Sequence, residues 1–556
     1  MSTQLKVFCD NLGEYIDITG GETLWDIYSR VAERIPFVPM CAHVNCKTED
    51  MLYPVYSPKK VEFLSVESPS GHRTYIRSLC MLLFKAVCDL YPGTRLRIEH
   101  SISKGYYCRL KDGVETTDRT VESLKTRMRK LVDSNLSFER KERLTSHVVD
   151  LFRSEGLDDK VKLLDSIHEL YTVYYKLDNV SDSYYGSLVP FTGMLRVFEL
   201  LPFKDGMLLL GPASGRSNEP EQPVTQEKMY RAFTEHLDFN AIVGVRNVGE
   251  LNATTRQGGS AMLINVSEAL HSKKIAAVAD EIKARFDKGG AKIALIAGPS
   301  SSGKTTFTKR LAIQLITNLL EPRMISLDDY FVDREATPKD ETGDYDYESI
   351  HALDIERFNA DLNSLLSGDE VELPTYNFAT GRREFRGNRI KLNDRSILLI
   401  EGIHGLNPQL TQMIEQKMKF RIYVSALTTI SIDDHNWIPT TDNRLLRRII
   451  RDYKYRGVSA SETIRRWPSV RRGEEKWIFP HQENADATFN SSLLYELAVI
   501  RDEAEQTLRG VPHDIPEYAE AARLLKFLSY FNPIGTEYVP STSLIREFLG
   551  GSSFRY

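Results

Sequence analysis

The sequence predicts a multidomain α/β and α+β chain whose C-terminal half is built on a mainly parallel sheet flanked by helices. Three observations lead there. First, Gly298-Pro-Ser-Ser-Ser-Gly-Lys-Thr-Thr306 fits G-x-x-x-x-G-K-[ST], with an apolar run of buried-strand type at 292–297 before it and Phe307, Leu311, Leu315 and Leu319 repeating every four residues after it. Second, two more short apolar runs, Arg323-Met-Ile-Ser-Leu-Asp-Asp329 and Ser396-Ile-Leu-Leu-Ile-Glu401, end in carboxylates. Third, 556 residues exceed what one ordinary core organises.

A strand, a glycine loop and a helix N-terminus in that order aim several N–H groups and the positive end of a helix dipole at one spot, where a polyphosphate fits. The motif therefore predicts ATP and Mg²⁺ on Gly298, Pro299, Ser300, Ser301, Ser302, Gly303, Lys304, Thr305 and Thr306. Lys304 would neutralise the β- and γ-phosphates, and Thr305 would offer its hydroxyl to Mg²⁺. Asp328 and Glu401, at the ends of neighbouring strands, open onto the same crevice. Asp328 is the expected base for an attacking hydroxyl, and Glu401 the expected neighbour of the metal. Downstream, Arg444, Arg447, Arg448 and Arg451 share one helix face, while Leu445, Leu446, Ile449 and Ile450 occupy the other. Followed by Arg456-Gly457, this cationic stripe suits a lid that closes over phosphates, with Arg451 stabilising charge during transfer.

Composition is ordinary: 41% hydrophobic, 27% charged, net charge −5. Bulk electrostatics therefore calls for neither nucleic acid nor an anionic membrane. A local cluster, Lys125, Arg127, Arg129, Lys130, Arg140, Lys141 and Arg143, keeps RNA contact through the N-terminal half open, although interspersed acids favour a solvated face. Cys9, Cys41, Cys46, Cys80, Cys88 and Cys108 form no C-x-x-C pair and follow no secretory signal, so reduced thiols and a cytoplasmic location are expected. Cys41-Ala-His43-Val-Asn-Cys46 lacks a second Cys/His group and reads as a strand and turn rather than a metal cluster. No apolar run of about 18 residues exists, so no membrane span is expected.

In chain order, strands are expected at 5–9 and 14–18, a helix at 23–34 and a strand at 61–64. The Gly-, Pro- and Ser-rich stretch 211–226 reads as a linker or loop, a helix follows near 266–286, and another spans 516–530. The tail from Asn532 has no assignable role. The resulting division is 1–65, 66–225, a connecting segment 226–290, 291–510, and a helix and tail at 511–556.

The ordered motifs G-P-S-S-S-G-K-T-T, L-D-D-Y-F, D-Y-D-Y, P-T-Y-N-F, L-I-E-G and R-L-L-R-R-I-I-R-D-x-x-x-R-G, over about 291–510, resemble the uridine kinase and phosphoribulokinase family, closest to its uridine kinase branch. The resemblance implies a nucleoside 5′-kinase with uridine or cytidine as first acceptor. It further implies Asp346 on the ribose hydroxyls, Tyr376 against the base, Arg448 and Arg456 facing phosphates, and assembly into homo-oligomers. The family's base-reading histidine is replaced by Gly381, a lid glutamine by Arg466 and a lid arginine by Val458. A phosphorylated polyol acceptor and an RNA-binding regulatory ATPase are the alternatives. Residues 1–65 resemble the ubiquitin-like β-grasp TGS domain of threonyl-tRNA synthetases, and 66 to about 210 resemble their α+β editing domain. The latter's H-x-x-x-H and C-x-x-x-H positions fall on Arg77, Met81, Tyr184 and Leu188, so its metal chemistry is expected to be lost. His100 reads as structural.

Overall fold

A computed structural model describes residues 4–341 and 343–555. The first unit is a five-stranded sheet in the order Glu14–Thr19, Gln4–Cys9, Lys60–Leu64, Cys41–Val44, Lys47–Glu49, with Gln4–Cys9 and Lys60–Leu64 parallel. Val7, Ile18, Val61 and Phe63 alternate onto the helix Leu24–Val31, burying Leu24 and Ile27. A capping box starts that helix: the Thr23 hydroxyl accepts from Asp26 N at 3.1 Å and the Asp26 carboxylate accepts from Thr23 N at 2.9 Å. The expected helix at 23–34 finishes as a 3₁₀ turn, Ala32–Arg34. At Cys41–Val44 the expected strand forms, and Asn45 and Cys46 turn with φ of 48° and 58°. All six cysteines are free.

Next, the long buried helix Pro69–Leu90 packs on an antiparallel sheet ordered Glu199–Phe203, Gly206–Leu210, Gly105–Lys111, Arg95–Ile102. The stretch expected to be a loop at 211–226 instead begins with a small hairpin, Pro212–Ala213 against Arg216–Pro220. Local sequence could not show why: the distant Glu67 carboxylate pins the turn by accepting from Gly215 N and Ser217 N, both at 3.2 Å. The connecting segment holds three helices, Glu227–Val243, Val248–Arg256 and Ser260–Asp287.

The C-terminal sheet is wholly parallel, in the order Glu321–Ser326, Ser396–Glu401, Ile293–Ala297, Lys419–Ser425, Ala487–Asn490. Helices Ser260–Asp287 and Lys304–Thr317 cover one face, where Ile275, Phe307, Leu311 and Leu315 are buried. Leu319 departs from the expected stripe. The helix ends at Thr317, and Leu319 turns outward at φ 63° with 74% exposure, handing its place to Leu320.

The loop 426–439 joins this sheet to the helix Thr440–Arg456 and is buried almost throughout. It carries Trp437 into the core formed by Leu79, Met81, Ile98 and Met207, 4.5 Å from the Tyr106 ring. Its Asp433 meets Lys160 at 3.0 Å, while Lys160 also holds Asp182 at 2.7 Å and His435 meets Asp182 at 2.8 Å. Asp434 O accepts from Ile98 N at 2.8 Å. The C-terminal helix, Tyr518–Leu528, and a tail that buries Leu544, Ile545 and Phe548 complete the packing. Among the described residues, no helix is long and apolar enough to cross a membrane.

Trp437→Ala removes a large side chain from a core it enters from outside, at an expected cost of about 3–5 kcal/mol. Urea unfolding followed by tryptophan-independent circular dichroism checks this.

Candidate phosphate-binding site

The parallel sheet lines up the C-terminal ends of its strands, so residues far apart in sequence converge at one edge. Gly298 leaves the strand Ile293–Ala297 against the neighbouring strand: a Cβ here would lie 1.9 Å from Val424 O, so only glycine fits. Gly303 has φ 81° and starts the helix Lys304–Thr317. The hydroxyls of Ser301 and Ser302 are buried without hydrogen-bond partners, and Lys304 donates to Pro299 O at 3.2 Å. Thr305 Oγ1 lies 3.3 Å from both carboxylate oxygens of Glu401, which closes the adjacent strand.

Asp328 opens onto the same cleft from a 3₁₀ turn, Leu327–Tyr330. Protein crowds its carboxylate closely enough that desolvation raises its pKa, while Lys304, Arg456 and Arg451 pull it back down. Burial, reinforced by Asp328 and Glu547 against Lys304, pushes Glu401 up to about 7. Glu348, unmarked by the sequence motifs, is pushed to about 7 by burial and by Glu474, with Arg448 and Lys304 opposing. The predicted lysine, threonine and two carboxylates thus share one cleft. Among the described residues no group of three or more His, Cys, Asp or Glu could hold a metal alone. Thr305 and Glu401 are the side chains here that would hold a Mg²⁺ ion, offering one hydroxyl and one carboxylate.

The arginine stripe departs from expectation. Arg444 and Arg447 are not lid residues facing solvent but buried ion pairs behind the loop, 1% and 0% exposed. Arg444 clamps Glu474, with one contact at 2.6 Å, and donates to Ser300 O at 3.1 Å. Arg447 clamps Glu496, likewise with one contact at 2.6 Å, and donates to Ser301 O at 3.4 Å and Ser491 O at 3.0 Å. Glu474 in turn accepts from Ser300 N at 3.1 Å. Spacing identified the shared helix face, but the acids that bury it lie on other helices. The other stripe members stay near the cleft: Arg448 donates to Ser300 Oγ at 2.8 Å, and Arg448, Arg451 and Arg456 share the single carboxylate of Asp452 at 3.3, 3.0 and 3.4 Å.

The remaining predicted residues lie on the other wall. Asp346 accepts from Glu348 N at 3.1 Å. Tyr376 is 4% exposed and sits among Phe331 and Phe378, its hydroxyl buried without a partner. Phe378, 59% exposed, presents the more accessible ring. Gly381 has φ 71°, and a Cβ there would strike the Arg334 side chain at 2.8 Å. Arg334 also donates to Phe378 O at 2.6 Å, so an arginine occupies the space beside that turn.

One contributor carried no sequence signal. The tail brings Glu547 to the start of the helix Lys304–Thr317, where its carboxylate accepts from Thr306 Oγ1 at 2.6 Å and Thr306 N at 3.4 Å, 241 residues away in the chain. Leu544 abuts Gly303. The anion drawn to this helix N-terminus is therefore a side chain of the same protein.

Arg77, Met81, Tyr184 and Leu188 are all buried, and Arg77 Nε donates to Ser187 O at 3.2 Å where the two segments meet. His100 stacks on Phe233 at 3.7 Å, and burial lowers its pKa to about 3. In the basic cluster, Arg127, Arg140 and Lys141 are paired with Asp89, Asp50 and Glu139 at 2.7, 3.2 and 2.9 Å.

A parallel sheet with a glycine phosphate loop between a buried strand and helix, and acids on the neighbouring strand ends, defines a P-loop fold of the kinase type. The sequence pattern of the Phosphoribulokinase / Uridine kinase family matches residues 293–494. A uridine kinase from Staphylococcus aureus is 30% identical over 192 residues, covering 34% of this chain and 83% of that protein. The chain belongs to the phosphoribulokinase and uridine kinase family. It is also similar to a threonine–tRNA ligase from Rubrobacter xylanophilus, 26% identical over 234 residues, or 41% of this chain and 35% of the ligase. The chain spans about a third of the length of the threonine–tRNA ligases it matches. A solved structure described as a possible uridine kinase from Bacillus stearothermophilus aligns with TM-score 0.25 and 19% identity, covering 38% of this chain and 100% of that one.

Arg447→Met would leave Glu496 charged and buried without its partner, at an expected cost of about 3–5 kcal/mol, read from the urea midpoint. Glu401 predicts a pH dependence. Folded, its carboxyl keeps a proton to about pH 7, whereas in the unfolded chain it loses it in the ordinary carboxylate range. Between those values the folded chain binds more protons, so stability falls as pH rises. Glu401→Gln is expected to flatten that slope in denaturation midpoints collected from about pH 5 to about pH 8.

Proposed function

We propose that this protein is an ATP-dependent phosphotransferase that moves the γ-phosphoryl group of ATP to the 5′-hydroxyl of a nucleoside, with uridine or cytidine as first candidates. The observation that carries the reading is the charge arrangement opposite the loop. Three arginines, Arg448, Arg451 and Arg456, share one ion-pair carboxylate, Asp452, and two of them, Arg451 and Arg456, also act on Asp328. Such a cluster suits the charge that spreads over a transferring phosphoryl group.

In this reading residues 298–306 hold the triphosphate, and Lys304 swings from Pro299 O onto the β- and γ-phosphates. Thr305 and Glu401 would hold Mg²⁺, whose chemistry there would be to supply positive charge to the phosphoryl oxygens. Asp328 takes the proton of the acceptor hydroxyl as its oxygen bonds to the γ-phosphorus and ADP departs. Its raised pKa makes it a stronger base than an ordinary carboxylate, while Lys304, Arg456 and Arg451 oppose the rise. Asp346 is assigned to the ribose hydroxyls and Tyr376 to the base. The protein's similarity to the uridine kinase of Staphylococcus aureus supports the nucleoside acceptor.

Arg334 favours a second reading. A guanidinium beside Gly381, where the related kinases place a base-reading histidine, suits an acceptor with its own phosphate or carboxylate.

Asp328→Asn is expected to lower kcat by about two decades or more with ATP affinity nearly unchanged; normal turnover would remove Asp328 from the mechanism. The acceptor is tested by ADP release across uridine, cytidine, adenosine, guanosine, inosine, thymidine and ribulose 5-phosphate, with Lys304→Ala as control. Lys304-dependent turnover of a nucleoside supports the first reading, and of the sugar phosphate alone the second. Silence across the panel with ATP still bound overturns both in favour of a nucleotide-regulated binding protein.

A further inference from the structure

A cavity of about 140 Å³ lies far along the chain from the phosphate loop, where the strand Lys47–Glu49, the helix Pro69–Leu90, the turn 185–187 and the helix Tyr518–Leu528 meet. At about 30 Å³ per water it has room for four or five. Five cations line it, Lys47, Arg73, Arg77, Arg523 and Lys526, and no carboxylate does.

Four of the five have partners outside the cavity wall. Lys47 pairs with Glu49 at 3.1 Å, and Lys526 pairs with Glu169. Arg73 pairs with Glu520 at 3.0 Å, and Arg523 pairs with Asp442 at 2.7 Å and also with Glu520. Arg77 has no carboxylate partner among the described residues, only the Tyr185 ring 5.7 Å from its Cζ. It is 6% exposed, its Nε is committed to Ser187 O, and neither Nη nitrogen has a hydrogen-bond partner. Gly186 makes room for it, since a Cβ there would fall 2.4 Å from Arg77 Cζ. Burial, with Arg73 and Arg523 adding to it, depresses the Arg77 guanidinium below its ordinary value.

A buried guanidinium with both Nη groups free is costly unless an anion completes it, and a tetrahedral oxyanion accepts two parallel N–H bonds from one such fork. We infer that this junction is a binding site for a phosphate group, gripped by Arg77 and flanked by Lys47, Arg73 and Arg523, separate from the kinase cleft and independent of the acceptor that cleft uses. The hydroxyls of Thr48 and Ser70 line the same cavity and supply neutral donors. The site sits where the helix Pro69–Leu90 of the synthetase-like half meets the C-terminal helix Tyr518–Leu528. It also abuts the kinase half, because Arg523 reaches Asp442 in the first turn of the helix Thr440–Arg456.

The test is isothermal titration of inorganic phosphate into the full chain carrying Lys304→Ala, which weakens the phosphate loop, with and without Arg77→Met. One site per chain is expected, weakened about tenfold or more by Arg77→Met. Lys47→Met keeps the test decisive if Arg77→Met misfolds, because Lys47 is 61% exposed on its side chain and its loss leaves the core alone. A loss of about threefold or more is expected there. A parallel titration with glycerol 3-phosphate distinguishes a phosphate ester from free phosphate as the source. Unchanged affinity in the folded Arg77→Met and Lys47→Met chains, or no phosphate binding in the Lys304→Ala chain, overturns the proposal.

Discussion

The assembly depends on one buried loop. A connection between a strand and a helix ordinarily runs over the surface, because its backbone polar groups need water. The loop 426–439 does the opposite and finds its partners inside the synthetase-like half: Ile98 N for Asp434 O, Lys160 for Asp433, Asp182 for His435 and an apolar core for Trp437. A lysine shared by two buried carboxylates is favourable only with all its members present. The two halves are therefore joined through one shared charged and apolar network, which gives the N-terminal half a structural purpose.

The same loop leads directly into the helix that holds the phosphate loop from behind. Arg444 and Arg447 are directed at Ser300 O and Ser301 O by the glutamates that neutralise them, so the carbonyls face inward and the opposite side of the loop is left for a ligand. Rigidity of this kind is what preorganised charge stabilisation requires. One helix thus divides its arginines by function: two are spent on building the loop, and three are gathered around Asp452 beside the cleft.

The strand, loop and helix at 293–317 were legible because each is a local pattern, and Asp328 and Glu401 because strand ends in a parallel sheet must converge. Other features depended on distant partners and could not be read. The spacing of Arg444 and Arg447 revealed a shared face, but not that Glu474 and Glu496 would cover it. Leu319 matched the helical period, yet the helix stops two residues before it. The hairpin at 212–220 is fixed by Glu67, and Gly381 is explained by Arg334, neither of which is a neighbour in sequence. Glu547 has no pattern at all, since a single glutamate in a tail acquires meaning only when Thr306 is placed beside it.

That last contact also bears on how the protein is made. Ribosomes deliver chains from the N-terminus, and domains generally fold as they emerge. The phosphate loop leaves the tunnel 241 residues ahead of Glu547, so for much of synthesis its helix N-terminus is exposed without the carboxylate that later occupies it. The tail reaches the loop only after residue 547 has left the ribosome, so this helix end completes its contacts among the last in the molecule.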